Sequence, residues 1–583
     1  REVSHRRTTF SCAPHQASLL FFALLVPAPV VAQGDGEEVF CDPENPACRQ
    51  ADQREDDALE LEIPEEIAAP AAPSATVRAG FGTTLWVDTR MQAPAQGEGG
   101  QEDYVEWGSA LDLGVEVEVR PGLDVVVYGQ LRHWMGGRDD PERAPILVNA
   151  SGVRAEYEAR LGEAYVAWRT GPWSLRAGNL KTTWGATQLV RPGDVFNPRD
   201  QRTFGQSGPA ASDGKLPQLT AEVAYLGASW SATALVMPFF ETDRVVAFGR
   251  DSGLLTPWSP LNAQLPLLGL AQQALDPSAF DDVQPILLGT NVPDERPRAA
   301  DVGARVAATL WNTDLGLGYA YTWDRTPYVR VDPAVAALLG VLAEDELFFE
   351  EFDFIRLAQR NPQVLLLSQQ LSMRQAAGEE VLVNEYRRRH TLVVDIARYI
   401  GPVGVRVDAA VTPAQVFPGA DLNAVRRPSL GAALGLSYEG ADLDRPLAIQ
   451  LEGFWLQPAG ASSAVTRRFV PEQERGAARE ATQEEGVVDE AEILIIGDGL
   501  YGVSAGCSWA TGWWGLRVQL GGVWTVSNGD VIANGSITKR LRNGLGITLG
   551  ANVFEGPPLE ERFTLGGLYD RNDQVFTALD LQL

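Results

Sequence analysis

Residues 107–120 read Trp-Gly-Ser-Ala-Leu-Asp-Leu-Gly-Val-Glu-Val-Glu-Val-Arg, and this stretch decides the fold class. From Leu111 to Val119 every odd position is aliphatic, whereas the even positions between them are Asp, Gly or Glu. A period of two residues is typical of a β-strand with one apolar and one polar face. The next run, 123–133, alternates in the same way, and the short turn Arg120-Pro121-Gly122 joins the two segments.

The same alternation recurs to the end of the chain and predicts eighteen strands. Connections after even-numbered strands are short, whereas most of those after odd-numbered strands are long; Ser527-Asn528-Gly529 is a tight exception. Short turns on one rim and long loops on the other are typical of outer-membrane β-barrels. The strands are expected near 77–89, 107–119, 123–133, 158–169, 173–180, 218–226, 230–239, 301–310, 313–323, 386–399, 403–411, 428–438, 447–457, 500–510, 514–525, 530–539, 544–554 and 574–583.

Tryptophans cluster at both ends of these strands. Indole rings favour the boundary between hydrocarbon and headgroups, so two sets of tryptophans indicate two membrane interfaces. The final run, 575–583, must pair with the first, because an open sheet edge is not tolerated in lipid. We therefore predict an all-β, transmembrane antiparallel β-barrel of about 18 strands with helical and apolar extracellular loops. Trp168, Trp173, Trp230, Trp311, Trp513 and Trp514 lie beside short turns, and Trp107, Trp134, Trp323, Trp455 and Trp524 lie at the opposite ends.

Composition excludes several classes of function. The formal net charge is −29, with 48 Lys and Arg against 77 Asp and Glu, which argues against a nucleic-acid partner. The four His and four Cys are too few for a zinc ribbon, an iron–sulfur cluster or most catalytic triads, so we expect no metal and no cofactor. His133 and His390 fall near the outer mouth, and neither has a Gly-x-Ser-x-Gly motif beside it. An enzyme is therefore not expected.

The N-terminal 75 residues differ from the rest of the chain. Arg6 and Arg7 precede an apolar run at 19–26 and small residues to Ala32, which predicts a secretory signal peptide at 1–32. Residues 33–75 contain 13 Asp or Glu against two Arg, and we interpret them as a disordered acidic periplasmic tail. A disulfide between Cys41 and Cys48 is plausible in an oxidising compartment. That loop is either a local staple or a small docking or calcium-binding element.

The polar faces of the strands supply the candidate lining of a pore. Acidic and basic residues there are nearly balanced, so they either pair across neighbouring strands or line a weakly cation-tolerant pore. A dedicated anion channel needs a ring of Lys or Arg, and the predicted strands hold few lysines. The candidate pore-lining residues are Asp112, Glu116, Glu118, Asp124, Arg132, Glu163, Arg169, Arg176, Glu222, Arg305, Arg406, Asp408, Glu452 and Arg517.

Two long loops carry many apolar residues. Segment 254–289 is rich in Leu, and segment 332–380 begins with Asp332-Pro333, a helix N-cap followed by Pro at the first helical position. Apolar residues then recur at helical spacing from Val335 onward. Such faces must be buried, so we expect a loop cap or plug over the outer mouth. The two loops either pack on each other or form a vestibule for an apolar substrate or a partner protein.

A motif begins within the fourth predicted strand. Leu161-Gly-Glu-Ala-Tyr-Val-Ala-Trp-Arg169 precedes Trp173-Ser-Leu-Arg-Ala-Gly-Asn-Leu-Lys-Thr-Thr-Trp-Gly185, and Arg191-Pro-Gly-Asp-Val-Phe-Asn-Pro-Arg-Asp200 comes next. The last segment is rich in turn formers. It either folds inward as a constriction or uses its carboxylates to cap its own backbone. The constriction candidates are Arg191, Asp194, Asn197, Arg199 and Asp200.

This motif resembles a porin-superfamily family of outer-membrane β-barrels catalogued under a domain of unknown function. Asn179 departs from the family pattern, and the acidic tail has no counterpart in it. The resemblance implies an outer-membrane channel that works with an inner-membrane exporter on apolar compounds. The matching positions are Glu163, Ala164, Tyr165, Trp168, Leu175, Arg176, Gly178, Trp184, Gly185, Asp194, Asn197, Pro198 and Asp200.

The sequence thus predicts a porin-like channel in the outer membrane of a Gram-negative bacterium. It would pass or export small solutes, apolar ones among them, and its partners would be outer-membrane lipid and a periplasmic protein bound through the acidic tail. The alternative is a non-conducting scaffold that anchors a multiprotein envelope complex.

Overall fold

A computed structural model describes most of the barrel and parts of its loops. The predicted signal peptide, the tail with Cys41 and Cys48, and loop residues 254–287 lie outside the described residues. The described residues are 74–88, 105–136, 155–200, 207, 214–244, 288–291, 299–325, 328–332, 334, 359–377, 382–418, 424–440, 446–460, 499–541, 544–557, 564–569 and 573–582.

Eighteen strands form one closed antiparallel sheet. Each strand pairs with the next barrel strand in the sequence, and β1 also pairs with β21, where Gly80 lies opposite Gln582 and closes the barrel. The strands are β1 (Ser74–Asp88), β2 (Val105–Arg120), β3 (Leu123–Gly136), β4 (Ala155–Thr170), β5 (Trp173–Leu180), β6 (Gln218–Leu226), β7 (Trp230–Met237), β9 (Asp301–Leu310), β10 (Thr313–Trp323), β13 (Arg388–Ile400), β14 (Val403–Pro418), β15 (Ala424–Glu439), β16 (Leu447–Pro458), β17 (Leu500–Ala510), β18 (Leu516–Thr525), β19 (Asp530–Arg540), β20 (Leu545–Glu555) and β21 (Gln574–Gln582).

The predicted strand count and strand positions are confirmed. Alternation of side chains carries through each strand: Leu113 and Val115 on β2 are 49% and 41% exposed, whereas Ala110, of opposite parity, is 2% exposed. Aliphatic side chains of this kind are exposed on strands all around the barrel. A protein surrounded by water rarely exposes so large an apolar band, and hydrocarbon accounts for it.

The turns on one rim are tight. Gly122 and Gly171 take positive φ angles of 80° and 54° in the turns after β2 and β4. Between β9 and β10 the two-residue turn is Trp311-Asn312, whose φ angles of 51° and 58° suit the right-handed twist of the strands. Trp311 is 89% exposed there, as expected for an indole at a membrane interface.

The predicted interface position is wrong for one tryptophan. Trp134 is only 4% exposed, because it lies opposite Gly108 on the inward face of β3. The guanidinium of Arg132, two residues earlier on the same face, lies 6.0 Å from the centre of its ring. A tryptophan at a strand end can face either the lumen or the lipid. Its place in the inward–outward alternation of the strand decides which.

Three short strands form a separate sheet at the loop end of the barrel: β8 (Leu288–Asn291), β11 (Tyr328–Val331) and β12 (Leu382–Glu385).

Helix α1 (Pro362–Ala376) begins where the side chain of Asn361 accepts a hydrogen bond from Gln363 N–H. Asp332 accepts one from Ala334 N–H, as its predicted capping role requires. Helix α2 (Leu565–Tyr569) lies against β19 and β20. Among the described residues, no helix is long and apolar enough to cross a membrane.

Candidate functional site

The described residues of the segment that follows β5, 181–200, 207 and 214–217, enter the lumen and reach the opposite wall. Asp408 on β14 accepts hydrogen bonds from Ala186 N–H (2.6 Å) and Thr187 N–H (3.1 Å). Glu452 on β16 accepts three more, from backbone N–H groups of residues 188, 189 and 190 at 2.5, 2.8 and 2.8 Å. Five consecutive backbone amides are therefore held by two wall carboxylates. Hydrogen bonds to charged acceptors are the stronger kind, so this contact fixes the loop firmly. We call residues 181–200, 207 and 214–217 the inner loop.

Two glycines allow the inner loop to approach the wall so closely. Gly185 has φ = +116°, and a Cβ atom there would lie 2.5 Å from Asp408 Oδ2. A Cβ atom on Gly193 would lie 2.3 Å from Val393 Cγ1 of β13. A side chain at either position would push the loop away from the strands.

Apolar packing inside the barrel supports the same loop. Trp184 and Phe196 meet edge to face with their ring centroids 4.5 Å apart, and Phe196 is fully buried. A Cβ atom on Gly303 of β9 would lie within 3 Å of both rings, so this glycine makes room for them. The wall residues that complete this buried cluster are Leu235, Met237, Ala320, Val393 and Ala410.

Polar groups tie together the two limbs of the inner loop. The side-chain amide of Asn197 accepts a hydrogen bond from Thr182 N–H at 2.7 Å and donates to the carbonyls of Leu180 and Leu216 at 2.9 Å. Lys215 Nζ donates to Thr182 O and lies 2.6 Å from Asp194 Oδ2. Burial lowers the pKa of Lys215, and the neighbouring Asp194 carboxylate opposes that shift. Both residues hold the loop's shape rather than extend into free solvent.

A buried arginine, Arg325, holds the inner loop at the end of the barrel that carries the long loops. Its guanidinium donates to Phe196 O at 2.8 Å and to Gln218 Oε1 at 3.0 Å, and it pairs with Asp301 of β9. Burial lowers the pKa of Arg325, and the Asp301 carboxylate opposes that shift. Neither residue was predicted as part of the site, since Arg325 lies just after a strand in a segment without a recognisable motif.

The later part of the inner loop turns toward the first strands. Arg160 of β4 lies 3.4 Å from Asp200, and Arg199 N–H donates to Asp243 at 2.7 Å. Trp86 of β1 donates its indole N–H to Ser207 O at 2.9 Å. The inner loop thus crosses the barrel to β16 at one point and reaches β1 at another.

All five predicted constriction residues therefore lie within this loop, and most of their contacts are internal. Asp194, Asn197 and Asp200 are engaged as described, and Arg199 NH2 lies 3.9 Å from Asp194. Arg191 Nε donates to Thr187 O at 2.6 Å, near the point where the loop meets Glu452.

The candidate pore-lining residues have the inward parity of their strands, and several form pairs. Arg176 and Glu222 pair across β5 and β6 at 2.7 Å. Arg305 reaches past Gly316 of β10 to Asp395 of β13, at 2.6 Å. Arg406 donates to Ser437 and Tyr399, each at 2.6 Å.

The other candidate pore-lining residues differ in exposure. Asp408 and Glu452 bind the inner loop instead of facing an open lumen. Arg132 is buried, Asp112, Asp124 and Glu163 are half-buried, and Glu116, Glu118, Arg169 and Arg517 are exposed toward the short-turn end.

The two histidines of the described residues face outward. His133 lies between the rings of Trp107 and Tyr157, at centroid distances of 5.6 and 4.5 Å. His390 Nδ1 lies 2.7 Å from the hydroxyl of Tyr319. These aromatic neighbours are typical of a membrane interface.

No family model matches the chain, and no curated protein matches it, so the resemblance seen at 161–200 stays a prediction. Among solved structures, OccK9 (OpdG) of Pseudomonas aeruginosa is similar at 10% identity and a TM-score of 0.41, over 88% of this chain and 99% of that one. OprB of Pseudomonas putida aligns at 11% identity and a TM-score of 0.34, over 87% and 93%. OmpF of Salmonella typhi, in complex with daunomycin, aligns at 9% identity and a TM-score of 0.34, over 87% and 97%.

Proposed function

We propose that the chain is an outer-membrane channel whose inner loop narrows the passage for small solutes. The observation that carries this proposal is the attachment of residues 186–190 to Asp408 and Glu452 on the far wall of a closed barrel. A loop held across a lumen by polar bonds limits the size of what passes, whereas a barrel that serves only as an anchor does not require one.

The location follows from the surface of the barrel. An outward aliphatic band with exposed tryptophans at both rims, such as Trp311 (89%) and Trp524 (52%), fits a bilayer. Closed barrels that expose such a band occur in outer membranes, and we infer that membrane as the site of action. In this interpretation the exposed charges at the short-turn end line the periplasmic entrance.

The nature of the solutes is the finer part of the proposal. The expectation of apolar solutes rested on the loops 254–289 and 332–380, most of which lie outside the described residues, and on the resemblance at 161–200. The described lumen wall carries many polar side chains, besides the apolar cluster beneath Trp184 and Phe196 and other buried apolar residues such as Trp86, Phe554 and Phe576. We therefore propose passage of small water-soluble compounds through the part of the lumen that the inner loop leaves uncovered.

Single-channel recording in planar lipid bilayers tests the function. Purified full-length protein should give discrete conductance steps in KCl. Preparations that fold into a heat-modifiable barrel, insert into vesicles and yet give no steps would contradict the channel. That result would favour the scaffold, and co-purification that depends on residues 33–75 would then identify its partners.

A further inference from the structure

The lumen wall formed by β17–β20 differs in chemistry from the rest. In the middle of this wall no inward residue is charged, and amides, hydroxyls and glycines occupy most positions. A buried row of Val523, Ile532 and Phe554 borders them toward the loop end. Charges appear only toward the ends: Arg517, and Arg540 at 3.9 Å from Asp580, near the short turns, and Asp530 at the loop end. The inward polar and glycine residues of the middle of this wall are Ser504, Gly506, Ser508, Gln519, Gly521, Asn534, Ser536, Thr538, Thr548, Gly550 and Asn552. We call this set the neutral wall.

Strand register places the amides of the neutral wall in one continuous row. Gln450 of β16 lies opposite Gly506, Gly506 opposite Gly521, and Gly521 opposite Asn534. Asn534 in turn lies opposite Asn552. Neighbouring inward residues in a sheet are close enough to act on one molecule. Amides thus flank two adjacent glycines, which leave a shallow recess between them.

The glycines keep this recess free. A Cβ atom at Gly506 would meet nothing nearer than the side chain of Gln450 at 3.9 Å. A second cross-strand row lies two residues closer to the short turns. It consists of Ser508, Gln519 and Ser536, which lie side by side on neighbouring strands. The result is a surface rich in donors and acceptors with space in front of its centre.

The inner loop borders this surface on both sides. Its contacts end on β16, where Glu452 accepts from residues 188–190, and on β1, where Trp86 donates to Ser207 O. Strands β17–β21 lie between these two anchors in the closed sheet. Glu452, the acid nearest to the neutral wall, is 2% exposed and is occupied by the loop. A solute that passes the loop on this side therefore meets amides and hydroxyls rather than charges.

One side-chain amide of the row has neither its donor nor its acceptor engaged by a described residue. Asn552 is 1% exposed, and neither its Oδ1 nor its Nδ2 has a hydrogen-bond partner among the described residues. A buried amide without partners is costly, and it gains when a donor and an acceptor reach it together. A hydroxyl group supplies both in a single atom.

We propose that the neutral wall is a binding surface for uncharged polyhydroxylated solutes, with Gln519, Asn534 and Asn552 as its hydrogen-bonding groups. The inference rests on the proposed channel function and names its substrate class. Amides donate and accept equally, so they match hydroxyls and give no preference to either sign of charge. An apolar solute of the same size would leave these amides without partners, and the site would reject it.

Glucose block of the ion current tests the proposal. In the full-length channel, glucose should lower the KCl conductance in a saturable manner, beyond the linear decrease caused by viscosity. In the double variant Gln519→Met and Asn534→Leu, which preserves side-chain size, the half-saturating glucose concentration should rise about tenfold, which corresponds to loss of one or two neutral hydrogen bonds. Gln519→Asn, which keeps an amide, should remain near the wild type. Glucose block is expressed as a fraction of each variant's own conductance in KCl without glucose.

The outcomes separate the two proposals. Absence of any conductance from folded protein overturns the channel and this inference with it. Normal conductance without saturation by glucose, or equal block of the wild type and the double variant, overturns the binding surface alone. Equal block by 1-hexanol, which has a single hydroxyl, would also overturn it. Should the double variant fail to become heat-modifiable, Gln519→Met alone is measured, with a smaller increase expected.

Discussion

The two sides of the lumen wall differ in what they bind. From β5 to β16 the inward side chains hold the inner loop: carboxylates bind its amides, and Leu235, Met237 and Val393 pack on its rings. From β17 to β20 the inward side chains between the two rims are uncharged, and they lie outside the contacts described for that loop. One side acts as a support and the other as a surface for passing molecules. The same barrel geometry thus serves two tasks, because register and parity allow each strand its own inward chemistry.

Release of the loop from its support should have the largest effect. In the double variant Asp408→Asn and Glu452→Gln, five backbone amides lose a charged acceptor. A hydrogen bond to a charged group contributes about 1.5–3 kcal/mol to stability. The loop should then detach from the far wall, and single-channel conductance and current noise should both rise, because the detached loop leaves a wider and less fixed passage. Glu118→Gln, which removes an inward carboxylate without loop contacts, is the control. Equal behaviour of both variants would contradict the support role.

Loss of the apolar contact should be the next largest effect. Replacement Trp184→Ala removes a large ring from the cluster inside the barrel, at about 3–5 kcal/mol for such truncations. Hydrogen exchange at residues 186–190 should accelerate while the strands stay protected. Leu520→Ala on the outer face, where Leu520 is 53% exposed, should leave that exchange unchanged. Protection of the loop that survives Trp184→Ala would show that the polar contacts suffice.

The sequence predicted the barrel far better than the site within it. Alternation fixes the strands because each one needs an apolar outer face along its full length, as residues 107–120 illustrate. The role of Asp408 and Glu452 was missed, since their partners are backbone amides more than 200 residues away and leave no pattern in the sequence. Gly185 was visible as part of the motif and Gly193 as part of a turn-forming segment, but the close approach that requires both glycines depends on the folded barrel.

A matched pair of glycines offers a smaller effect on the barrel itself. Gly178 of β5 has φ = +140°, and a Cβ atom there would lie 2.2 Å from the carbonyl oxygen of Ala164, whereas Gly453 of β16 has nothing within 4 Å. Gly178→Ala should therefore lower the temperature at which the folded barrel is lost on electrophoresis, with a cost of about 1–3 kcal/mol for a strained backbone. Gly453→Ala should change little. A reversed order would contradict the described backbone at β5.

The smallest effect is expected on the lipid side of the neutral wall. Cys507 of β17 lies opposite Ile449 and Leu520 and is a half-buried residue of the outward face. Cys507→Ala should change stability by no more than about 0.5 kcal/mol, as for surface positions away from special features. Glucose block should be identical in this variant. A change in block would indicate that residue 507 faces the lumen.

Thiol accessibility along β19 tests the membrane-spanning barrel most directly. With the four native cysteines replaced by serine, Asn534→Cys places a thiol on the lumen face and Ile537→Cys places one on the outer face, where Ile537 is 50% exposed. In lipid vesicles a charged, water-soluble thiol reagent should label position 534 rapidly and position 537 slowly. A fluorophore at 537 should be quenched by brominated lipid chains, and one at 534 should not. Rapid labelling at 537 with protection at 534, or equal labelling at both, would contradict the barrel's assignment of a wet inside and a lipid-covered outside.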